Sequence, residues 1–180
     1  PGVIETSRAP LEPKAKTCDP LPPGPAPGTQ HVSFVNGASP ATPIIEVVAP
    51  ETWTFAVDQG GSPVMTGTGP DGMTGTLTVT PTDLGPAAAF DKYADDVAAK
   101  ADFSSINLRP ADFCGYSGQE LFGTLSDPPG PPTYFADRIA HVWTNTKDYL
   151  VAVHLQGPKE DPQYDEAKTA LMGDFAVVIP

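Results

Sequence analysis

The chain has 180 residues, of which 22 are acidic and ten are basic, so its formal net charge at neutral pH is −12. This charge repels nucleic-acid phosphates and anionic headgroups at long range, and we therefore exclude nucleic-acid binding. No run of about 18 apolar residues is present, which excludes a transmembrane helix of ordinary length.

A proline-rich arm is predicted over residues 1–28, which contain eight of the chain's 23 prolines. Proline fixes φ and lacks the N–H donor that a central strand needs, so we expect an extended, semi-rigid segment. A spacer is the preferred role, and a ligand for an aromatic groove is the alternative. The remaining residues, 29–180, are enough for one domain with a single core.

The first half of this domain contains five runs of β-branched, aromatic or alternating residues. They predict strands over 31–35, 44–48, 54–57, 64–68 and 73–80. The last two form the clearest hairpin of the chain, because Asp71 and Gly72 between them tolerate positive φ. In the second strand of this hairpin, Leu77 and Val79 point to one face of the sheet.

A helix is predicted to begin at Gly85 and Pro86, since proline at the first helical position loses no hydrogen bond. Apolar residues recur at helical spacing from Phe90 to Ala101, and charged residues occupy the outer face. Three further strands are predicted over 106–108, 119–125 and 133–142. The prolines between 128 and 132 form a loop before the last of them.

The strand predicted over 149–155 is apolar on both faces, which is typical of a central strand. Asp161 and Pro162 then open a second helix as N-cap and first helical residue, and Gly173 ends it. A strand over 175–179 closes the chain. This order predicts an α+β domain in which an antiparallel sheet carries helices.

The two cysteines lie far apart in the sequence, Cys18 in the arm and Cys114 before a Gly-Tyr-Ser-Gly turn. An even cysteine count with an acidic, proline-rich composition is typical of an exported protein, and we predict a disulfide between them. The chain begins without an apolar targeting segment. We therefore interpret it as a mature or trimmed protein that is secreted or associated with the cell envelope.

The order of elements over residues 31–180 resembles a known family. The Trp53 strand entry, the threonine-rich hairpin, the helix from Pro86 and the closing helix and strand over 161–179 are similar to LpqN/LpqT-type mycobacterial lipoproteins and secreted proline-rich antigens. The resemblance implies a Mog1/PsbP-like fold, an α/β/α sandwich, in a non-enzymatic envelope protein without defined catalytic residues. Cys18 departs from the lipoprotein pattern, because the preceding Lys16 argues against acylation there.

Catalytic and metal-binding patterns are weak. Ser117 lacks the second glycine of a nucleophile elbow, because position 119 is glutamine. A hydrolase that uses Ser117 with His141 or His154 as base remains an alternative function. The histidines lie on separate predicted strands without metal-ligand spacing, and no phosphate-binding loop is present, so we expect neither a metal nor a cofactor.

Four aromatic residues near strand ends are candidates for a binding surface beside the proline loop: Trp53, Tyr134, Phe135 and Trp143. Core packing is the usual role of a tryptophan, whereas a contiguous exposed group would form a binding patch. The leading interpretation is a non-enzymatic, monomeric binding module for a partner protein or an amphiphilic envelope molecule such as a glycolipid. A structural spacer domain is the third alternative.

Overall fold

The computed structural model describes residues 16–17, 27–35, 42–58, 63–113, 115–144, 147–158, 161–173 and 176–178. Eleven strands and two α-helices lie within these ranges. In chain order they are β1 (Lys16–Thr17), β2 (Thr29–Val35), β3 (Ile44–Pro50), β4 (Thr54–Asp58), β5 (Val64–Thr68), β6 (Thr74–Thr82), α1 (Pro86–Ala98), β7 (Phe103–Pro110), β8 (Ser117–Ser126), β9 (Thr133–Trp143), β10 (Asp148–Pro158), α2 (Pro162–Leu171) and β11 (Ala176–Val178).

The strands form two sheets in which every pairing of neighbours is antiparallel. The large sheet has seven strands in the order β4-β5-β6-β10-β9-β8-β7, and the small sheet has four in the order β1-β11-β3-β2. The strand predicted to be central from its two apolar faces is β10, and it is the fourth of the seven strands. That prediction is confirmed.

The two helices lie on opposite sides of the large sheet. Helix α1 packs against β7, β8 and β9 and buries Phe90 and Val97 completely. On the other side, α2 contacts β3 and β10, and the small sheet shares one core with the large sheet through residues such as Ile45 and Val151. The α+β class is therefore confirmed. The prediction of a single sheet between the helices is wrong. The small sheet packs on the same side of the large sheet as α2.

The hairpin of β5 and β6 has the predicted turn chemistry. A 3₁₀ turn joins the strands, and Asp71 and Gly72 both adopt positive φ, at 58° and 76°. The Trp53 ring packs against this hairpin at glycine positions. A Cβ atom at Gly69 would overlap the indole, and one at Gly75 would lie 3.2 Å from Cζ3 of Trp53. The glycines thus provide the space that Trp53 occupies in the core.

The helix boundaries also follow the sequence signals. The Asp161 side chain accepts a hydrogen bond of 2.9 Å from the backbone N–H of Gln163 and caps α2.

Two residues of the predicted arm form β1, which pairs with β11 at the edge of the small sheet. Cys18 and Cys114 both lie outside the described residues, and the disulfide stays a prediction.

Candidate ligand groove

The four aromatic residues predicted to form a binding surface lie in different parts of the structure. Trp53 is 3% exposed and stacks on Phe55, with ring centroids 6.2 Å apart. Phe135 is 1% exposed, belongs to the core beneath α1 and stacks on the His154 ring. These two residues contribute to packing in separate clusters.

Tyr134 and Trp143 are partly exposed, at opposite ends of β9. Tyr134 packs against Tyr164 of α2, and Trp143 makes an edge contact with Tyr116, in each case with centroids 5.9 Å apart. The structure does not bring the four residues together. A hollow of about 440 Å³ does lie beside the proline loop, lined by Pro131 and Pro132.

Ser117 lies directly opposite His141 in the pairing of β8 with β9. Both residues are fully buried, and Nε2 of His141 lies 3.0 Å from the carbonyl oxygen of Leu84 and 3.7 Å from Oδ2 of Asp148. A hydrolase needs its nucleophile and base in a cleft that admits substrate. In the described structure Ser117 and His141 have no such access, so the hydrolase alternative gains no support.

An open polar concavity lies between α2 and the strands β7, β8 and β9, and we call it the α2 groove. Its volume is about 530 Å³. The side chains that line it come from both secondary-structure classes: Arg109, Glu120, Phe122, Asp165, Lys168 and Met172. The groove therefore combines an aromatic ring and a thioether with four charged groups.

The cations of the groove are arranged around one ring. Cζ of Arg109 and Nζ of Lys168 each lie 5.4 Å from the centroid of Phe122. Nε of Arg109 also donates to Oε2 of Glu120 over 2.5 Å, although the Arg109 side chain is 63% exposed. Cations at this distance are attracted to the face of the ring, so Phe122 holds both charged ends at the mouth of the groove.

Arg138 of β9 connects the sheet beside the groove to the C-terminal end of α2 by hydrogen bonds. Its guanidinium donates to the carbonyl oxygen of Met172 over 3.2 Å and to that of Asp112 over 2.9 Å. It also lies 3.4 Å from the Glu120 carboxylate. A cation at a helix C-terminus satisfies carbonyls that have no partner within the helix and interacts favourably with the helix dipole. Arg138 thus positions α2 against the sheet.

A second polar cluster lies on the other face of the sheet, buried beneath α1. The Tyr93 hydroxyl donates to Oδ1 of Asp137 over 2.5 Å, and Nδ1 of His154 lies 2.6 Å from the same oxygen. Burial and the negative charge of Asp137 raise the pKa of Tyr93 well above its usual value. Asp137 is fully buried, so this cluster is closed to a ligand and holds α1 on the sheet.

The sequence itself contains one signal for these charged sites. Asp137 and Arg138 are adjacent charged residues of β9 and lie between the apolar residues Ala136 and Ile139. Successive residues of a strand point to opposite faces, so such a pair places one charge on each side of the sheet. The groove residues Arg109, Phe122 and Lys168 carry no comparable signal, because they come from three different elements, β7, β8 and α2.

Neither helix in the described ranges is long and apolar enough to cross a membrane. Among the same residues, no group of three or more His, Cys, Asp or Glu side chains is placed to hold a metal ion. His31, His141 and His154 lie on β2, β9 and β10.

Comparison with known proteins supports the fold. No protein-family model matches the chain, and no curated protein matches it. The crystal structure of LpqN, described as involved in cell envelope biogenesis of Mycobacterium tuberculosis, superposes with a TM-score of 0.64 at 15% identity, over 83% of this chain and 91% of LpqN. At this identity the likeness shows the fold alone. The chain has an LpqN-like, sheet-rich α+β fold.

Proposed function

We propose that this protein is a non-enzymatic, envelope-associated binding module and that the α2 groove holds its ligand, an amphiphilic envelope molecule. The observation that carries the proposal is the groove itself, an open concavity of about 530 Å³ with an aromatic floor and charged walls. Ligand sites combine an apolar surface with a few polar groups in this way. A spacer domain needs no such concavity.

The likeness to LpqN supports the envelope part of the proposal. LpqN is involved in cell envelope biogenesis, and this chain shares its fold over most of both chains. An acidic, proline-rich chain with an even cysteine count is compatible with export, and a Cys18–Cys114 disulfide belongs to the same proposal. A single Mog1/PsbP-like domain over residues 29–180 is part of the same proposal.

Lipid capture with a blocked groove tests the proposal. Purified protein is incubated with mycobacterial envelope extract, isolated again under native conditions, and its bound lipids are quantified by mass spectrometry. Thr169 is exposed and lines the groove, so Thr169→Trp fills the groove without changing the core. Asp95→Trp is the matched control, because Asp95 is exposed on α1 at the other face of the large sheet.

We expect one lipid class to be enriched on the wild-type protein and on Asp95→Trp but lost from Thr169→Trp. Equal enrichment on all three proteins would exclude the α2 groove as the binding site. Absence of any enriched lipid on the wild-type protein would contradict the proposed function.

A further inference from the structure

Two cations share one aromatic ring in the α2 groove, but only one of them has an anionic partner. Arg109 forms an ion pair with Glu120, and the Glu120 carboxylate also forms one with Arg138. Lys168 contacts the Phe122 ring and has no carboxylate oxygen within 4 Å in the described part of the chain. Lys168 is thus a cation of the groove that forms no ion pair with the described residues.

This local charge opposes the charge of the whole chain. The formal net charge is −12, yet Arg109 and Lys168 line the groove and Arg138 lies beside it, against the carboxylates of Glu120 and Asp165. Asp137 also lines the groove, but its Oδ1 is bound by Tyr93 and His154 on the other face of the sheet. Salt screens charges beyond about 8 Å under physiological conditions. A ligand inside the groove therefore experiences these nearby charges, three cations and two carboxylates, more strongly than the distant carboxylates of the chain.

The apolar part of the groove continues from the same ring. Phe122 is half-buried, and Ala136 and Met172 line the surface next to it. A ligand with a charged end at Lys168 and Arg109 would therefore place its other end on apolar side chains. The aromatic ring beneath both cations keeps their charged ends at the entrance.

From these contacts we infer that the ligand is a single-chain amphiphile with an acidic headgroup, held between Lys168 and Arg109 with its chain along Phe122 and Met172. This inference rests on the proposed function, since it specifies the ligand of the same groove. Charge complementarity argues for the acidic headgroup, because a cationic headgroup would meet two cations at the entrance.

Titration calorimetry with probes of equal chain length tests the inference. The probes are decyl phosphate, decyl maltoside and decyltrimethylammonium, each below its micelle-forming concentration, and inorganic phosphate. The wild-type protein is compared with Lys168→Gln. The control is Lys92→Gln, which removes an exposed lysine of α1 that pairs with Asp96. Glutamine is a good helix former, so both variants are expected to fold.

We expect decyl phosphate to bind the wild-type protein more tightly than decyl maltoside. Lys168→Gln should weaken decyl phosphate binding by about fivefold, the upper range for a partly exposed ion pair. Decyl maltoside binding should not change, and Lys92→Gln should behave as wild type. Arg109→Gln is a second test, with a smaller decrease expected because Glu120 already pairs with Arg109.

An unchanged affinity of Lys168→Gln for decyl phosphate would overturn the inference. Inorganic phosphate binding as tightly as decyl phosphate would also overturn it, because the chain would then contribute nothing. Equal binding of decyl phosphate and decyl maltoside, both lost in Thr169→Trp, would refute the acidic headgroup and leave the proposed function standing. Failure of every decyl probe to bind would count against the groove itself.

Discussion

The hydroxyl of Tyr93 on α1 donates a hydrogen bond of 2.5 Å to Oδ1 of Asp137 on β9. Asp137 is fully buried, and its other oxygen, Oδ2, accepts no hydrogen bond from the described residues. A buried carboxylate is costly unless donors compensate for the lost water. Tyr93 and His154 therefore offset the cost of burying the Asp137 carboxylate. The hydrogen bond from Tyr93 also anchors α1 to the sheet.

Replacing Tyr93 with phenylalanine should lower the free energy of unfolding by about 1.5–3 kcal/mol, the range for a hydrogen bond to a charged group. Urea denaturation followed by circular dichroism measures the change. Tyr134→Phe is the matched control, because the Tyr134 hydroxyl makes no hydrogen bond to the described residues. Its effect should stay within about 0.5 kcal/mol. Equal effects of the two substitutions would contradict the anchoring role of Tyr93.

Alkaline pH should destabilise the protein through two tyrosines, the partly buried Tyr93 and the buried Tyr164. Burial is the main cause that raises the pKa of both Tyr93 and Tyr164, and the charge of Asp137 adds to it. In the unfolded chain both hydroxyls lose their protons near pH 10, whereas the folded protein retains them. The folded state then binds more protons, so the free energy of unfolding falls as pH rises above about 10.

Urea denaturation at several pH values between 8 and 11 measures this decline. Tyr93→Phe removes one of the two groups, so its stability should decline less steeply and its difference from wild type should shrink as pH rises. Identical slopes for the two proteins would show that Tyr93 does not titrate differently in the folded and unfolded states.

The contact between the β5–β6 turn and the start of α2 should depend on pH in the acid range. A hydrogen bond with Asp161, together with the charge of that residue, raises the pKa of the Asp71 carboxyl. The folded state therefore holds a proton that the unfolded chain releases near pH 3.8, and stability contributed by Asp71 is lost as pH rises through this region. At neutral pH the two carboxylates repel each other.

Asp71→Asn removes this repulsion and should raise the melting temperature at pH 7 more than at pH 3. Asparagine also tolerates the positive φ of this position, but that benefit is the same at both pH values. The difference between the two pH values therefore isolates the electrostatic contribution to the change in melting temperature. A melting-temperature increase that is equal at pH 3 and pH 7 would attribute the effect to backbone conformation alone.

Local signals predicted most of the elements, because capping and turn residues act over a few positions. Asp161 as N-cap of α2 and Asp71 in the β5–β6 turn are examples. The division into two sheets was not predicted. Alternation determines which face of a strand is buried, but it does not specify the strand that pairs with it. Burial alternates in the same way along β3 and β6, yet the two strands belong to different sheets.

The same limit applies to the candidate site. The position of Asp137 and Arg138 within β9 is readable from the strand pattern, but their partners are distant in sequence. Tyr93 lies 44 positions before Asp137, and Glu120 lies 18 positions before Arg138. The Tyr93–Asp137 pair depends on the packing of α1 on the sheet, and the Glu120–Arg138 pair depends on the register of β8 with β9. No local pattern encodes either. The predicted aromatic surface failed to assemble for a related reason, since Trp53 and Phe135 gain more by burial.

The space around Trp53 depends on glycine in the β5–β6 hairpin, and Gly69→Ala tests this dependence. The new Cβ would overlap the indole, which is itself held in the core by Phe55 and the hairpin. Overpacking of this kind costs about 1–3 kcal/mol of stability. Urea denaturation measures the cost, and a change in tryptophan fluorescence of the native state should accompany it.

The matched control is Gly173→Ala, where the added Cβ would make only ordinary contacts, 3.8 Å from the Thr169 carbonyl oxygen and farther from others. At a compatible backbone position, alanine in place of glycine restricts the unfolded chain and is neutral or slightly stabilising. We therefore expect the two substitutions to differ in sign or by at least about 1 kcal/mol. If Gly69→Ala were as stable as wild type, with unchanged fluorescence, Trp53 would not be packed against Gly69 as the structure places it.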